Sequence, residues 1–298
     1  MSVKISYGEF VSLLPLICDQ ETTLEPVGWT KENPLWGHCA VVSLAAQQIF
    51  GGELLRASLA HIPKFAHMRS HYWNRLGAGT EIDFTRAQFK GCSLDLPKPD
   101  VRTREYVLFD PVTGAPREIM ARYKLFMYRL AQKRAAPAAI FSDAVFRRCY
   151  DAALDSPCQK MKFGCVITRN SNVVYEGCNS TIEGLRSMCE PRCMRLDIMS
   201  RMESMLGACA HAEERGMWTL IRAQIPLGEC ELYILGVHPQ GEAWIKEDAV
   251  HTCLRCAVQM HNAQLRAIYV PMPLGWAKIT PKDALESAKA YALKEKKI

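Results

Sequence analysis

A chain of 298 residues with 49% hydrophobic and 23% charged residues is ordinary globular material for about two domains, each able to bury its own core. No apolar run reaches the roughly 18 residues of a membrane span. The formal charge of +6 divides into 17 Lys+Arg against 13 Asp+Glu up to residue 134 and 20 against 18 after it, so neither part is the concentrated basic block that sequence-independent nucleic-acid binding needs.

The cysteine count is 13. An odd number, with an opening MSVKISYGEF that lacks the charged-then-apolar order of a secretory leader, predicts reduced thiols and metal ligands in a cytoplasmic protein rather than a disulfide framework.

A short helix is expected around Tyr7–Leu16. From Cys39 to Phe50 the apolar spacing is helical, and Gly51-Gly52 stops the helix. Cys39 then lies at a helix N-terminus, where the partial positive charge favours thiolate. A strand with Leu54 and Leu55 follows. Ser70-His71-Tyr-Trp-Asn-Arg-Leu76 and Glu81-Ile-Asp83-Phe-Thr85 read as two strands joined through a Gly77–Gly79 turn. On adjacent strands His71 and Asp83 would lie side by side. Cys39, His71 and Asp83 thus offer nucleophile, base and orienter in that order.

The runs Gly37-His-Cys39-Ala-Val, Ser70-His-Tyr-Trp-Asn74 and Glu81-Ile-Asp-Phe-Thr-Arg-Ala-Gln-Phe89 make residues of about 1–134 resemble a papain-type cysteine-hydrolase fold, and in particular the small bacterial YunG proteins. The resemblance implies an α+β domain. Asn33, six positions before Cys39, stands where papain-like enzymes keep an oxyanion-hole Gln. Three readings of Cys39, His71 and Asp83 stay open: a working hydrolase site, a degenerate fold kept for binding, and structural coincidence.

Pro97-Lys-Pro99, a turn at Phe109–Gly114 and a basic helix from about Arg117 to Lys133 complete the first part. The charges of that helix are expected to form a solvated face. Arg134-Ala-Ala-Pro-Ala-Ala139 is the linker candidate, placing domains at 1–134 and 141–298 with a link over 135–140.

In the second part, Phe141–Leu154 reads as an amphipathic helix with Val145, Phe146, Cys149 and Ala153 inward. Lys162–Thr168 and Asn172–Tyr175 read as a hairpin across Arg169-Asn-Ser171, with Asn179 at the strand's end. His211 is expected to open a helix through Trp218 to Arg222. Glu231–Gly236 is a strand, Cys253 and Cys256 begin another helix, Gln264–Pro271 holds a buried strand, and Ala284–Leu293 is a closing helix.

Two segments carry chemistry. Cys209-Ala-His211-Ala-Glu213-Glu214 supplies an imidazole with a carboxylate two positions on, and His251-Thr-Cys253-Leu-Arg-Cys256-Ala supplies a thiolate pair. One His and two Cys suit Zn2+ and leave a fourth tetrahedral position for water, whose pKa falls towards about 7. At i and i+3 the two sulfurs share one helix face. Glu213 is placed to move protons rather than to ligate, and the adjacent Glu214, outside the motif, is expected at the surface. H-x-E followed by C-x-x-C is the signature of zinc nucleobase deaminases. A closed structural zinc site or an inactive relic is the alternative.

Those motifs, with Phe163-Gly-Cys-Val-Ile-Thr168 and Val173-Val-Tyr-Glu-Gly-Cys-Asn179 as a first hairpin, make residues of about 139–298 resemble the cytidine and deoxycytidylate deaminase superfamily, its deoxycytidylate-deaminase-like branch in particular. Thr252 stands where the family usually has Pro, and the stretch from Val237 to Cys253 is longer than is common there. The resemblance implies a three-layer α/β/α domain, so that the whole chain is α/β with an α+β domain first. It also implies zinc on His211, Cys253 and Cys256, Glu213 as proton shuttle, and Asn179 on the substrate's sugar hydroxyl, with a plain turn-forming Asn as the alternative. A homo-oligomer is implied too. Some relatives carry a further structural zinc near the equivalents of Cys189, Cys193 and Cys209; buried free thiols are the other reading.

The expected activity is deamination of a free cytosine nucleotide or nucleoside. A deaminase acting on DNA or RNA strands is the alternative; Trp218, Trp244 and the basic helix are its candidate contacts. The first domain is then either a cysteine peptidase or amidase or a non-catalytic binding module.

Overall fold

The computed structural model describes residues 5–134, 139–182, 184–185, 189, 192–197, 209–245 and 252–295. They fall into two units, Met1–Arg134 and Ala135–Ile298.

In the first unit, helix α1 (Tyr7–Ile17) starts at Ser6, whose hydroxyl accepts the Glu9 N–H at 3.1 Å. Helix α2 (Cys39–Phe50) ends at Gly51 and Gly52, with φ of 78° and 83°. At Gly52 a Cβ would meet the Arg75 carbonyl oxygen at 2.3 Å, so glycine is required twice over. Strands β1 (Glu53–Ser58), β2 (Ser70–Arg75), β3 (Glu81–Ile82) and β4 (Asp100–Arg102) form an antiparallel sheet in the order β3-β2-β1-β4.

Helix α2 covers β1 and β2. Asn74, fully buried on β2, ties the two together by donating to the Ser43 carbonyl at 3.0 Å. After α3 (Arg104–Leu108), helix α4 (Ile119–Arg134) packs on α2 and buries Tyr123, Phe126, Met127 and Leu130.

Two expectations for this unit are corrected. Asp83 is not on a strand: pairing stops at Ile82, and Asp83 turns the chain, its Oδ1 accepting the Thr85 N–H at 3.0 Å and hydroxyl at 3.1 Å. The charges of α4 are not simply a solvated face. Arg129 is held by Asp19 at 2.6 Å and by Glu21, and burial lowers the pKa of Arg122. Strand β4 and helix α3 had no sequence expectation.

Of the linker candidate, residues 135–138 lie outside the described ones. Ala139–Ser142 is a turn of 3-10 helix with Ile140 and Phe141 buried.

The second unit is built on a six-stranded sheet. Helix α5 (Ala144–Leu154) is capped by Asp143, which accepts the Phe146 N–H at 2.8 Å. Its inward residues are Phe146, Cys149, Tyr150, Ala152 and Ala153; Val145 is only half-buried. Strands β5 (Lys162–Arg169) and β6 (Asn172–Cys178) form the expected hairpin. Asn170 and Ser171 at its tip have φ of 50° and 64°, the left-handed pair that matches the twist of a two-residue hairpin.

Short strands β7 (Ser180–Thr181) and β8 (Cys209–Ala210) pair with each other, then come α6 (Ala212–Arg222), β9 (Cys230–Val237), β10 (Ala243–Trp244), α7 (Leu254–Asn262), β11 (Ala267–Met272), β12 (Gly275–Ile279) and α8 (Pro281–Glu295). The sheet order is β12-β11-β9-β5-β6, with β10 on β9. Among the described residues only β9 and β11 run parallel, the arrangement a crossover helix such as α7 requires.

Alternation along β5 assigns the layers. Gly164 faces α5 so closely that a Cβ would meet the Cys149 carbonyl oxygen at 1.8 Å. Cys165 and Ile167 face the other way, into a core with Met217 and Leu220 of α6, Cys256 and Met260 of α7, and Ala284 of α8. The unit is therefore a three-layer α/β/α sandwich.

Candidate metal centre

His211 leaves β8 and is the residue before α6, while Cys253 is the residue before α7. Both helices thus begin at one place, with β9 between them in sequence. Cys253 Sγ caps α7 by accepting the Cys256 N–H at 3.4 Å. His211 Nδ1 lies 3.4 Å from Cys253 Sγ and 3.3 Å from Cys256 Sγ, and the three atoms all lie within 4.8 Å of one another.

That spacing fits zinc. Bond lengths of about 2.05 Å to nitrogen and 2.3 Å to sulfur give a tetrahedral N···S edge of about 3.5 Å. Among the described residues this is the one group of three or more His, Cys, Asp or Glu that could hold a metal ion. His251 lies outside them.

The protonation pattern points the same way. Cys253 is held down to about 4, first by the Cys256 thiol and next by His211. Burial works against charge on His211, but its bond to Cys253 outweighs it and the imidazole pKa rises. Cys256, the group that donates to Cys253, is raised well above the ordinary thiol range. Imidazole and sulfurs share protons that a divalent cation would displace.

Glu213 stands in the first turn of α6, 5% exposed and outside the ligand trio. Burial pushes it up to about 7, against the pull of His211. A carboxyl poised there can both take and give a proton near neutral pH.

Glu214 corrects the sequence expectation of a surface residue. It is 0% exposed. One oxygen accepts the His211 main-chain N–H at 2.9 Å and Arg255 Nη2 at 2.9 Å; the other accepts Arg255 Nε at 2.5 Å and Gln259 Nε2 at 2.6 Å. This carboxylate joins the start of α6 to α7, so Glu214, Arg255 and Gln259 are site residues that motif reading passed over. The spacing S/T/D/N-x-x-E of a capping box is the signal that would have flagged Glu214, but His at the first position hid it.

Asn179 follows β6, and Ser180 pairs with Ala210 beside His211. Its Oδ1 accepts the Phe163 N–H at 2.8 Å and the Ser156 hydroxyl at 2.7 Å, while Nδ2 donates to the Met161 carbonyl at 3.1 Å. These bonds hold the strand ends that face the centre. Cys189 and Cys193 have sulfurs 3.9 Å apart, and Cys209 also acts on Cys189; the three do not form a ligand cluster of the His211 kind. Trp218 is exposed on α6, whereas Trp244 is half-buried, edge-on to Phe163 with ring centroids 6.3 Å apart.

The first unit brings its expected trio together as well. His71 Nε2 is 2.7 Å from Asp83 Oδ2, and Cys39 Sγ is 4.0 Å from the carbonyl of Ser70, the residue before His71. Asn33 Nδ2 donates to the Gln88 carbonyl at 3.0 Å.

In a three-layer sandwich, one imidazole and two cysteine sulfurs form a group that could hold a metal ion, with a buried carboxyl outside it. Residues 141–272 match the family model of the cytidine and deoxycytidylate deaminase zinc-binding region, and residues 13–134 match that of the YunG protein. No curated protein matches the chain. The second unit carries a zinc-dependent deaminase domain of the cytidine type, and the first a YunG domain. Among the described residues no helix is long and apolar enough to cross a membrane.

Proposed function

We propose that the second unit, as the domain 141–298, hydrolytically deaminates a free cytosine nucleotide or nucleoside, with His211, Cys253 and Cys256 as metal ligands. The observation that carries this is Glu213: a buried carboxyl beside three ligand atoms and not one of them. Bound zinc supplies the Lewis acidity that makes a water nucleophilic at neutral pH. Glu213 takes one proton of the attacking water and passes it to the ring nitrogen; it then takes the hydroxyl proton of the tetrahedral adduct and gives it to the amino group, and the C–N bond breaks to release ammonia. The Glu214–Arg255–Gln259 cluster holds the His211 main chain and the α7 start in register, which fixes the ligands on which Glu213 depends. Asn179, through its bonds to Phe163 and Ser156, shapes the substrate side, and its remaining amide hydrogen is available to a sugar hydroxyl.

A free substrate is favoured over a nucleic-acid strand by the modest charge of the second part, 20 basic against 18 acidic residues. A homo-oligomer in the cytoplasm belongs to the same reading. The test is ammonia release by zinc-loaded protein from cytidine, deoxycytidine and their monophosphates, beside single-stranded oligonucleotides. Release from a mononucleotide or nucleoside that Glu213→Ala abolishes is the expected result. Protein as inactive as Glu213→Ala on all of them, or active on oligonucleotides alone, would remove this reading.

A further inference from the structure

The first unit holds a second constellation that deamination does not use. Cys39, the first residue of α2, is 7% exposed. His71 sits on β2 beside it, fully buried. The Asp83 carboxylate is fixed at both ends, by Thr85 on Oδ1 and by His71 Nε2 on Oδ2. The imidazole is stacked on Trp73, with centroids 5.6 Å apart, and met edge-on by Phe89 at 5.0 Å, so the ring cannot swing. With Nε2 taken by Asp83, Nδ1 is the ring atom left; it has no hydrogen-bond partner, and Cys39 is near enough to act on the imidazole. A buried ring nitrogen without a partner calls for a physical explanation, and a catalytic role is one. Asp83 and then Cys39 both favour the protonated ring, and against the cost of burial they raise His71 to about 9.

Gln88 adds an independent observation. It is 2% exposed, and its Oε1 accepts the Gly37 N–H at 3.1 Å, two residues before Cys39. Only oxygen can accept that bond, so the amide orientation is fixed. Its Nε2 is then buried with no partner. Asn33, which the sequence offset places at the oxyanion position, is instead bound to the Gln88 main chain.

We propose that Cys39, His71 and Asp83 form a second active site, an acyl hydrolase for amides or esters, in which the Gln88 side-chain N–H stabilises the oxyanion. Cys39 Sγ attacks the acyl carbon and forms a C–S bond. The bond from that carbon to the amine or alcohol breaks, and the leaving group takes the proton of His71. Water then attacks the thioester and gives a proton to His71; the C–S bond breaks and the thiolate of Cys39 is restored beside the imidazolium. The net reaction consumes one water and yields an acid and an amine or alcohol.

The experiment uses the full chain and two probes, each read by site-resolved mass spectrometry. Iodoacetamide alkylates a thiolate without an oxyanion; p-nitrophenyl acetate acylates through one. Cys39 should alkylate at least about 10-fold faster than the half-buried Cys158 at pH 6. Asp83→Asn should remove that advantage, and Cys39→Ser should abolish both the acetyl adduct and p-nitrophenol turnover. Gln88→Ala should slow acetylation by about 100-fold and leave alkylation unchanged. His71→Ala opens a buried site, so Asp83→Asn carries the argument should that variant not fold. Alkylation of Cys39 no faster than Cys158, or turnover that survives Cys39→Ser, overturns the site. Gln88→Ala slowing both probes equally, or neither, overturns the oxyanion assignment.

Discussion

Glu214 and Arg255, 41 positions apart, form a two-pronged ion pair at 2.5 and 2.9 Å that ties the starts of α6 and α7 together. The pair is asymmetric: Arg255 is part-exposed, while Glu214 is wholly buried. Its role is to orient, since the carboxylate also receives the His211 N–H. Glu214→Ala should lower zinc affinity by about 10- to 100-fold and destabilise the fold by about 1–3 kcal/mol through the donors it leaves unsatisfied. Competition with a chromophoric chelator and urea unfolding measure the two. Equal zinc affinity in Glu214→Ala and the parent would remove the orienting role.

Glu213→Gln keeps the shape of the side chain and loses its proton shuttle. Zinc content should hold while kcat for ammonia release falls by about 100-fold or more. A fall in zinc content of the same size would mean that Glu213 ligates.

Gly164→Ala should be among the most damaging single substitutions in the second unit. The new Cβ would meet the Cys149 carbonyl oxygen at 1.8 Å and the Ala153 nitrogen at 2.7 Å. Both are main-chain atoms of α5 and neither can turn aside. A loss of about 3 kcal/mol or more is expected from overpacking, read as a lower urea midpoint at unchanged slope.

The His71–Asp83 pair makes the first unit's stability fall with pH. The folded pKa of His71, about 9, lies above its ordinary 6.5. Its contribution is complete below pH 6.5 and is lost as pH rises through 9, a change of at most about 3 kcal/mol. Denaturant-dependent labelling of the buried Cys18 follows this unit. His71→Gln should flatten the slope between pH 6.5 and 9; an unchanged slope would place the effect on other groups.

Metal removal should loosen the second unit selectively. With chelator, Cys256, now 0% exposed, should become alkylatable at lower denaturant than in the zinc-loaded protein, because metal binds only the folded arrangement. Labelling of Cys18 should not move.

That His211, Cys253 and Cys256 come together in space was legible because few chemistries use one imidazole and two thiols at helix starts. The hairpin across Asn170 and Ser171 was legible for a local reason, since those residues tolerate left-handed backbone. Glu214 was not, because the burial of a carboxylate depends on Arg255 and Gln259 beyond an intervening strand. Glu81–Thr85 reads as a strand after the Gly77–Gly79 turn, but the Asp83 side chain bonds Thr85 and pairing ends at Ile82. Strand β12 escaped notice because Gly275 and Lys278 dilute its apolar signal, and it is secured by pairing with β11. Gln88 carries no local mark at all: only the Gly37 N–H 51 positions away gives its amide a direction.

The strand between the two ligand segments has a kinetic meaning. His211 precedes β9 and both cysteines follow it, and β9 pairs with β5 on one side and β11 on the other. The full ligand set therefore exists only after that central strand has docked. During refolding, uptake of zinc from a fluorescent indicator should lag behind helix formation and keep time with sheet closure, making the ion a clock for the last step of assembly.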